Sequence, residues 1–313
     1  MFSLALIPFV LIGIASLFII MVSASYAINA ISHYARETGI SDYVIGFVVV
    51  SIGTSLPELS TAVIGSILGQ GKLILGDVIG ANIIDITVVF GITLLVARKI
   101  IVKEKVINKT VFTVLAMILL PLVLGMDGSL SRVDGAILIT AFLVYIMKLI
   151  QKEGKLGHIK KSIRLKDVWQ DMVVFSGCIA SLILASRYLV FSAVVISKML
   201  SISPYIMGLL FVAFGTTVPE LTVEVRSALT KHSCLAFGDI LGSIVVNASL
   251  VLGIAALTRP ITFKIMSFVS AALFMIATVT VGSLFVSRRV MNWKHGIIML
   301  LMYVLFVAVQ ISL

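Results

Sequence analysis

Six of the fourteen acidic residues stand inside long apolar runs: Glu58, Asp77, Asp85, Glu220, Glu224 and Asp239. A charge at the centre of a bilayer costs at least ~2.5–3.5 kcal/mol on insertion scales, so it must be neutralised, paired or bound to a cation. No Lys or Arg stands deep enough in an apolar run to pair with Glu58 or Glu220. A bound cation or a proton is the remaining counter-charge. Each glutamate follows a Gly-Thr-(Ser/Thr)-x-Pro segment, at 53–57 and 215–219. Pro57 and Pro219 remove an N–H and clash one turn back. With Gly53 and Gly215 nearby, each helix is expected to break into two halves. The break should free carbonyls around Thr54 and Thr216, while Ser55, Thr216 and Thr217 add neutral hydroxyls. Two carboxylates with carbonyls and hydroxyls make an all-oxygen site, which suits hard ions such as Ca²⁺ and Na⁺ and excludes soft metals.

Asp85 and Asn247 form a second matched pair, each about 11 residues into its run and so near the midplane. Both supply oxygen, but only Asp85 carries charge or takes a proton. Gly76-x-x-x-Gly80 and Gly238-x-x-x-Gly242 precede them, small residues at a spacing that lets helices approach closely. Asp77 and Asp239 fall in the first turn or two of their helices and read as partners of the helix dipole, with a role in an ion vestibule as the alternative. Glu224, one turn beyond Glu220, reads either as a vestibule group that attracts cations or as a partner of Arg226 or Lys231 near the cytoplasmic end. Cys178 and Cys234 have no metal or redox spacing and receive no role.

The elements that must position these groups are membrane spans. Of 313 residues, 60% are hydrophobic and 12% charged, with a mean hydropathy of +1.20, which excludes a water-soluble enzyme. The apolar runs are about 20 residues long and do not alternate polar with apolar as barrel strands do. Ten helical spans are expected, at 3–27, 42–69, 73–97, 110–126, 133–150, 169–190, 203–230, 235–257, 264–286 and 293–312. The first reads as a span and not a signal peptide, because no basic n-region or small-residue cleavage site accompanies it. The net charge of +10 reflects Lys and Arg between the runs without aromatic interleaving, so nucleic acid is not an expected partner. Eighteen of the 24 Lys and Arg fall on one set of alternating loops and six on the other. That bias puts the basic loop 151–168 in the cytoplasm and both termini outside a cell membrane.

Sliding the chain by 162 residues aligns I-G-T-S-L-P-E-L-S at 52–60 with F-G-T-T-V-P-E-L-T at 214–222, and G-D-V-I-G-A-N-I-I-D at 76–85 with G-D-I-L-G-S-I-V-V-N at 238–247. Gly46 meets Gly208 and Gly91 meets Gly253 at the same offset. Chance similarity between apolar helices would match Leu, Ile and Val, not Gly, Pro, Asp and Glu in register. The chain is therefore read as two five-helix repeats, 1–150 and 169–313, with motifs at 51–91 and 213–253. An odd number of spans per half makes the second copy enter the membrane from the opposite side, as in secondary transporters built from inverted repeats with broken helices and a midplane site.

The paired segments Gly-Thr-Ser-Leu-Pro-Glu-Leu (53–59) and Gly-Thr-Thr-Val-Pro-Glu-Leu (215–221), each followed by Gly-Asp-x-x-Gly, resemble the two α-repeats of the sodium/calcium exchanger family, within the Ca²⁺/cation antiporter superfamily. The resemblance implies a Ca²⁺ site from Glu58, Glu220 and the carbonyls of Thr54 and Thr216. It implies Na⁺ sites from Ser51, Thr54, Ser55, Glu58, Asp85, Ala213 (carbonyl), Thr216, Thr217, Glu220, Ser243 and Asn247. Archaeal sodium/calcium members have Asn in the first repeat and Asp in the second, whereas Asp85 and Asn247 reverse that order. The serine expected in the first repeat is Ala81, while Ser243 keeps it in the second, so one inner Na⁺ site lacks a hydroxyl.

These features favour an alternating-access antiporter over an enzyme. Ca²⁺ is expected to exchange for Na⁺, or alternatively for H⁺, with no cofactor, by a chain that works as a monomer in the lipid bilayer. The first spans of the two halves lack midplane acids and read as a sliding gate. A cation channel would need an open pore, usually within a ring of subunits. An intramembrane aspartyl protease would need Asp77 and Asp239 together, and an inverted repeat should place them near opposite faces. Asp85, beside two committed glutamates, is expected to hold a proton for much of the cycle and to act as a neutral ligand like Asn247.

Overall fold

The computed structural model describes residues 2–37, 50–101, 107–153, 165–229, 233–287 and 290–312. The beginning of the expected span 42–69, Gly46, Lys231 and most of the basic loop lie outside the described residues, as do the side chains of Arg226, Cys234 and Gly238. The helices are α1 (Phe2–Glu37), α2 (Val50–Thr54), α3 (Leu56–Ile67), α4 (Gly71–Ile84), α5 (Phe90–Ala97), α6 (Ile107–Leu124), α7 (Arg132–Glu153), α8 (Leu165–Met199), α9 (Pro204–Met207), α10 (Ala213–Thr216), α11 (Val218–Leu229), α12 (Ser233–Val245), α13 (Leu252–Thr258), α14 (Ile265–Ser287) and α15 (Trp293–Ser312). Wider π-helical turns fill Asp85–Val89, Gly208–Val212 and Val246–Val251. Helix is present in every one of the ten apolar runs. By length and hydropathy, seven helices among the described residues are long and apolar enough to cross a membrane, and Leu56–Ile67 and Phe112–Asp127 are shorter apolar ones. The first and sixth runs make longer helices than expected: α1 has 36 residues and α8 has 35.

Polarity is inverted relative to a soluble protein. Leu11, Phe18, Phe112, Leu301 and Val304 are well exposed, while all six acids named above are buried. An apolar rim around a polar centre is what a hydrocarbon solvent selects. The protein is a multi-pass membrane protein.

Several element boundaries recur at the 162-residue offset. The break at Ser55 matches that at Thr217, α3 matches α11, and the π turn at Asp85 matches that at Asn247. The equivalent helices α1 and α8 pack antiparallel: Gly13 lies against Ser192, Phe9 against Phe191, and His33 bonds Asp171 at 2.7 Å. Four short strands, β1 (Lys99–Ile101), β2 (Ser129–Leu130), β3 (Ile261–Thr262) and β4 (Val290–Asn292), pair antiparallel as β1 with β4 and β2 with β3. Glycines allow the central helices to touch. A Cβ on Gly76 would sit 2.1 Å from the Tyr205 carbonyl oxygen, and one on Gly80 would sit 2.2 Å from that of Leu209. These contacts hold α4, which carries Asp77, against the segment 204–213 that leads to Glu220.

Candidate ion-binding site

Both expected helix breaks are present. Ser55 (φ −80°, ψ 8°) and Thr217 (φ −81°, ψ 2°) leave the helical region in nearly the same way. Pro57 follows at the second position of α3 and Pro219 at the second of α11, where a missing N–H does least harm. Proline has no amide hydrogen, so the carbonyls one turn back, at Gly53 and Gly215, lose their helical donors. The broken ends turn Glu58 and Glu220 inward, at 0% and 2% exposure.

The interior brings the expected residues together. Ser51, Thr54, Ser55, Asp85, Ala213, Thr216, Thr217, Ser243 and Asn247 are all buried. Glu58 is close enough to Asp77 and Asp85, and Glu220 to Glu58, Asp85 and Asp239, for their charges to repel. Ser243 donates to Asp85 Oδ2 at 3.0 Å across the two halves of the sequence. Neither carboxylate oxygen of Glu58 or Glu220, neither polar atom of Asn247, and neither the Ser51 nor the Ser55 hydroxyl has a hydrogen-bond partner of ordinary geometry among the described residues. Thr216 is close to Glu58, but its hydroxyl is directed at Asp77 Oδ1 (3.3 Å) and at the carbonyls of Val212 and Ala213. Buried oxygens without partners are costly unless a ligand takes up the vacant acceptor positions. No three acidic, His or Cys side chains among the described residues converge on one metal position, so a bound ion would draw on hydroxyls and carbonyls as well as carboxylates.

Some donors are already engaged. Thr54 donates to the Ser51 carbonyl at 3.2 Å. The Ala213 carbonyl, implied as a Na⁺ ligand, accepts from the Thr217 amide at 3.1 Å and from the hydroxyls of Thr216 and Thr217. An ion using that carbonyl must displace at least one of them.

Two readings are corrected. Asp77 and Asp239 are not dipole partners at helix ends. Each lies in the second turn of its helix, as expected, but is buried among side-chain partners and beyond the first turn where the dipole acts. Asp77 accepts from Thr61 at 2.8 Å and from Thr216, whereas Asp239 lies against Ser51, Thr54 and Glu224. Glu224, expected to reach a surface cation, is 1% exposed and faces Asp239 and Asp85. The helical twist accounts for this: one turn beyond Glu220, it shares that residue's inward face. All three acids therefore belong to the central cluster. Their in-register placement at 77 and 239, and the one-turn spacing of 220 and 224, were the available signals.

Comparison with known proteins matches the profile described as sodium/calcium exchanger protein over residues 8–151 and 171–312. Relatives include the inner membrane protein YrbG of Escherichia coli, 33% identical over 79% of each chain. The sodium/calcium exchanger MaX1 of Methanosarcina acetivorans is 24% identical over 96% of this chain and 97% of its own. The sodium-calcium exchanger NCX_Mj has the same fold, with a TM-score of 0.69 at 24% identity over 96% of this chain and 98% of that one.

Proposed function

Because the chain belongs to the sodium/calcium exchanger family, and is thus a membrane transporter and not an enzyme, we propose that it exchanges Ca²⁺ for Na⁺ by alternating access. The carrying observation is the pair Glu58 and Glu220, set in register by two matched helix breaks, buried, and with all four carboxylate oxygens unpartnered among the described residues. Two carboxylates offset one Ca²⁺, with oxygens drawn from around Thr54 and Thr216. The Na⁺ load uses the wider set of Ser51, Ser55, Asp85, Ala213, Thr217, Ser243 and Asn247. The two loads exclude one another, because the same glutamates cannot neutralise both.

Ten spans in two inverted halves, 1–150 and 169–313, are part of this proposal. The antiparallel packing of α1 and α8 supports it, since equivalent helices must run oppositely in inverted halves. The strands support it too. β1 and β3 occupy equivalent positions, as do β2 and β4, and each strand pairs with the equivalent of its neighbour in the chain. An exchange of partners of that kind follows from a two-fold axis in the membrane plane. The Lys and Arg bias then sets the basic loop inside and the termini outside, and the α1–α8 pair is the element that slides against the core.

Proton-coupled exchange is the second reading. It is favoured by six buried acids against the two charges of one Ca²⁺. The decisive experiment is ⁴⁵Ca²⁺ uptake into proteoliposomes of the purified protein, driven in turn by outward Na⁺, K⁺ and proton gradients. Saturable uptake under the Na⁺ gradient alone is expected; uptake under the proton gradient alone selects the second reading. Uptake without any counter-ion gradient dependence defeats both.

A further inference from the structure

The hairpin joining the helix of Glu58 to the helix of Asp77 and Asp85 carries a cavity of opposite character to the ion site. The chain leaves α3, reverses through Gly69 at a φ of +73°, a conformation natural to glycine, and begins α4 at Gly71. Beside this reversal is a cavity of about 320 Å³ bordered by Ser66, Gly69, Gln70, Lys72, Arg259 and Thr262 among others, with no acidic residue among the described ones on its wall. Arg259 packs over the turn so closely that a Cβ on Gly69 would sit 2.6 Å from its Nη1. Neither Lys72 nor Arg259 forms an ion pair among the described residues.

Two further features point to a ligand. The Gln70 side chain does not cap α4, so it leaves the first-turn amides of a 14-residue helix open to an anion, and their dipole favours negative charge. Ser66 is 1% exposed, borders the cavity, and has a hydroxyl without a partner among the described residues. A larger neighbouring cavity, about 610 Å³, shares Lys72 and Pro204 and adds Lys264 with an apolar wall that includes Phe211, Phe263 and Ile311.

We infer that the smaller cavity binds phosphate, either as the headgroup of an anionic phospholipid or as the free anion. A guanidinium fork, an ammonium, a buried hydroxyl and helix N-terminal amides together match a tetrahedral oxyanion. The adjoining apolar cavity offers room for an acyl chain. The occupant braces the turn between α3 and α4, and so the half of the ion site those helices carry.

The test is thermal unfolding and native mass spectrometry of delipidated full-length protein in detergent. It is titrated separately with inorganic phosphate, dioleoyl phosphatidylglycerol and dioleoylglycerol. A saturable rise in melting temperature with either phosphate-bearing probe is expected. Response to inorganic phosphate identifies a soluble anion, and response to the phospholipid alone identifies a headgroup. Half-saturation should move up by about tenfold in Lys72→Gln or Arg259→Gln, the scale of one lost charge-assisted hydrogen bond, and stay unchanged in the remote Lys148→Gln. Ser66→Ala, which removes one oxygen, should shift it in the same direction by a few-fold and decides the matter if the charge variants do not fold. Equal stabilisation by dioleoylglycerol, no saturable response to either phosphate-bearing probe, or a half-saturation unmoved in Arg259→Gln and Ser66→Ala overturns the site.

Discussion

Thr216 directs its hydroxyl to Asp77 at 3.3 Å across 139 residues of sequence, while its repeat counterpart Thr54 lies against Asp239, the counterpart of Asp77. The same two positions thus come together twice with the halves exchanged, as a hydrogen bond at Asp77 and as proximity alone at Asp239, whose carboxylate oxygens have no hydrogen-bond partner among the described residues. The second partner differs: Asp77 also accepts from Thr61 at 2.8 Å, but the residue 162 positions on is Val223, and Glu224 faces Asp239 instead. Among the described residues each half buries three acids, but the third stands at Asp85 in one and at Glu224 in the other.

Glu58→Gln and Glu220→Gln should each abolish Ca²⁺ exchange while leaving a folded, inserted protein. Removing one charge from a desolvated ion pair costs about 3 kcal/mol or more, roughly a hundredfold. Uptake of ⁴⁵Ca²⁺ into proteoliposomes checks this, and wild-type rates in either well-expressed variant would refute the site.

Asp85→Asn should keep substantial Na⁺-driven Ca²⁺ exchange, because the amide resembles both a protonated aspartate and Asn247. Exchange should also become less sensitive to acid, since one group that gains a proton on acidification has been replaced by one that cannot. A variant inactive under a Na⁺ gradient defeats the neutral-ligand reading. Loss of proton-driven flux alone assigns Asp85 to proton coupling.

The unequal acid partners predict opposite stability changes. Glu224→Gln removes a repulsion with Asp239 and adds an amide donor, so melting temperature in cation-free buffer should rise by a few degrees. Thr61→Val takes a hydroxyl from buried Asp77 and should lower it by a similar amount. One hydrogen bond is worth about 1 kcal/mol, and this scale of shift follows for a chain of this size. Changes of the same sign would show that the two environments are equivalent.

Gly80→Ala should lower both stability and transport, because its Cβ meets backbone and not a movable side chain. Overpacking of this kind costs about 1–3 kcal/mol. Gly177→Ala, with nothing within 4 Å of the new atom, should be indistinguishable from wild type in the same melting and uptake assays.

Sidedness is tested by single cysteines in a Cys178→Ala, Cys234→Ala background. A membrane-impermeant maleimide applied outside intact cells should label Ser129→Cys and Thr262→Cys, which are paired strand residues. Lys99→Cys and Asn292→Cys, paired in the other sheet, should react only after permeabilisation. Labelling of all four from outside is incompatible with the proposed topology.

What the sequence determined by itself is local and repetitive. Pro57 and Pro219 dictate where two helices break, because a missing N–H acts within one turn. The 162-residue register paired the glutamates, because Gly, Pro and acidic residues do not align by hydrophobicity alone. The membrane setting followed from the length of the apolar runs. Only tertiary structure decided which acids share a centre. Asp77, Asp239 and Glu224 each admit a surface or dipole role when read along their own helices. For Asp77, what rules that role out is the contact of α4 with the segment 204–213, in which Gly76 and Gly80 let backbones meet; for Asp239 and Glu224 it is their burial against one another. Direction of packing is a property of two helices at once, so no single stretch of residues encodes it. The same holds for the cavity at Gly69: Arg259 is 190 residues away in sequence, and only the folded chain sets its guanidinium over the first turn of α4.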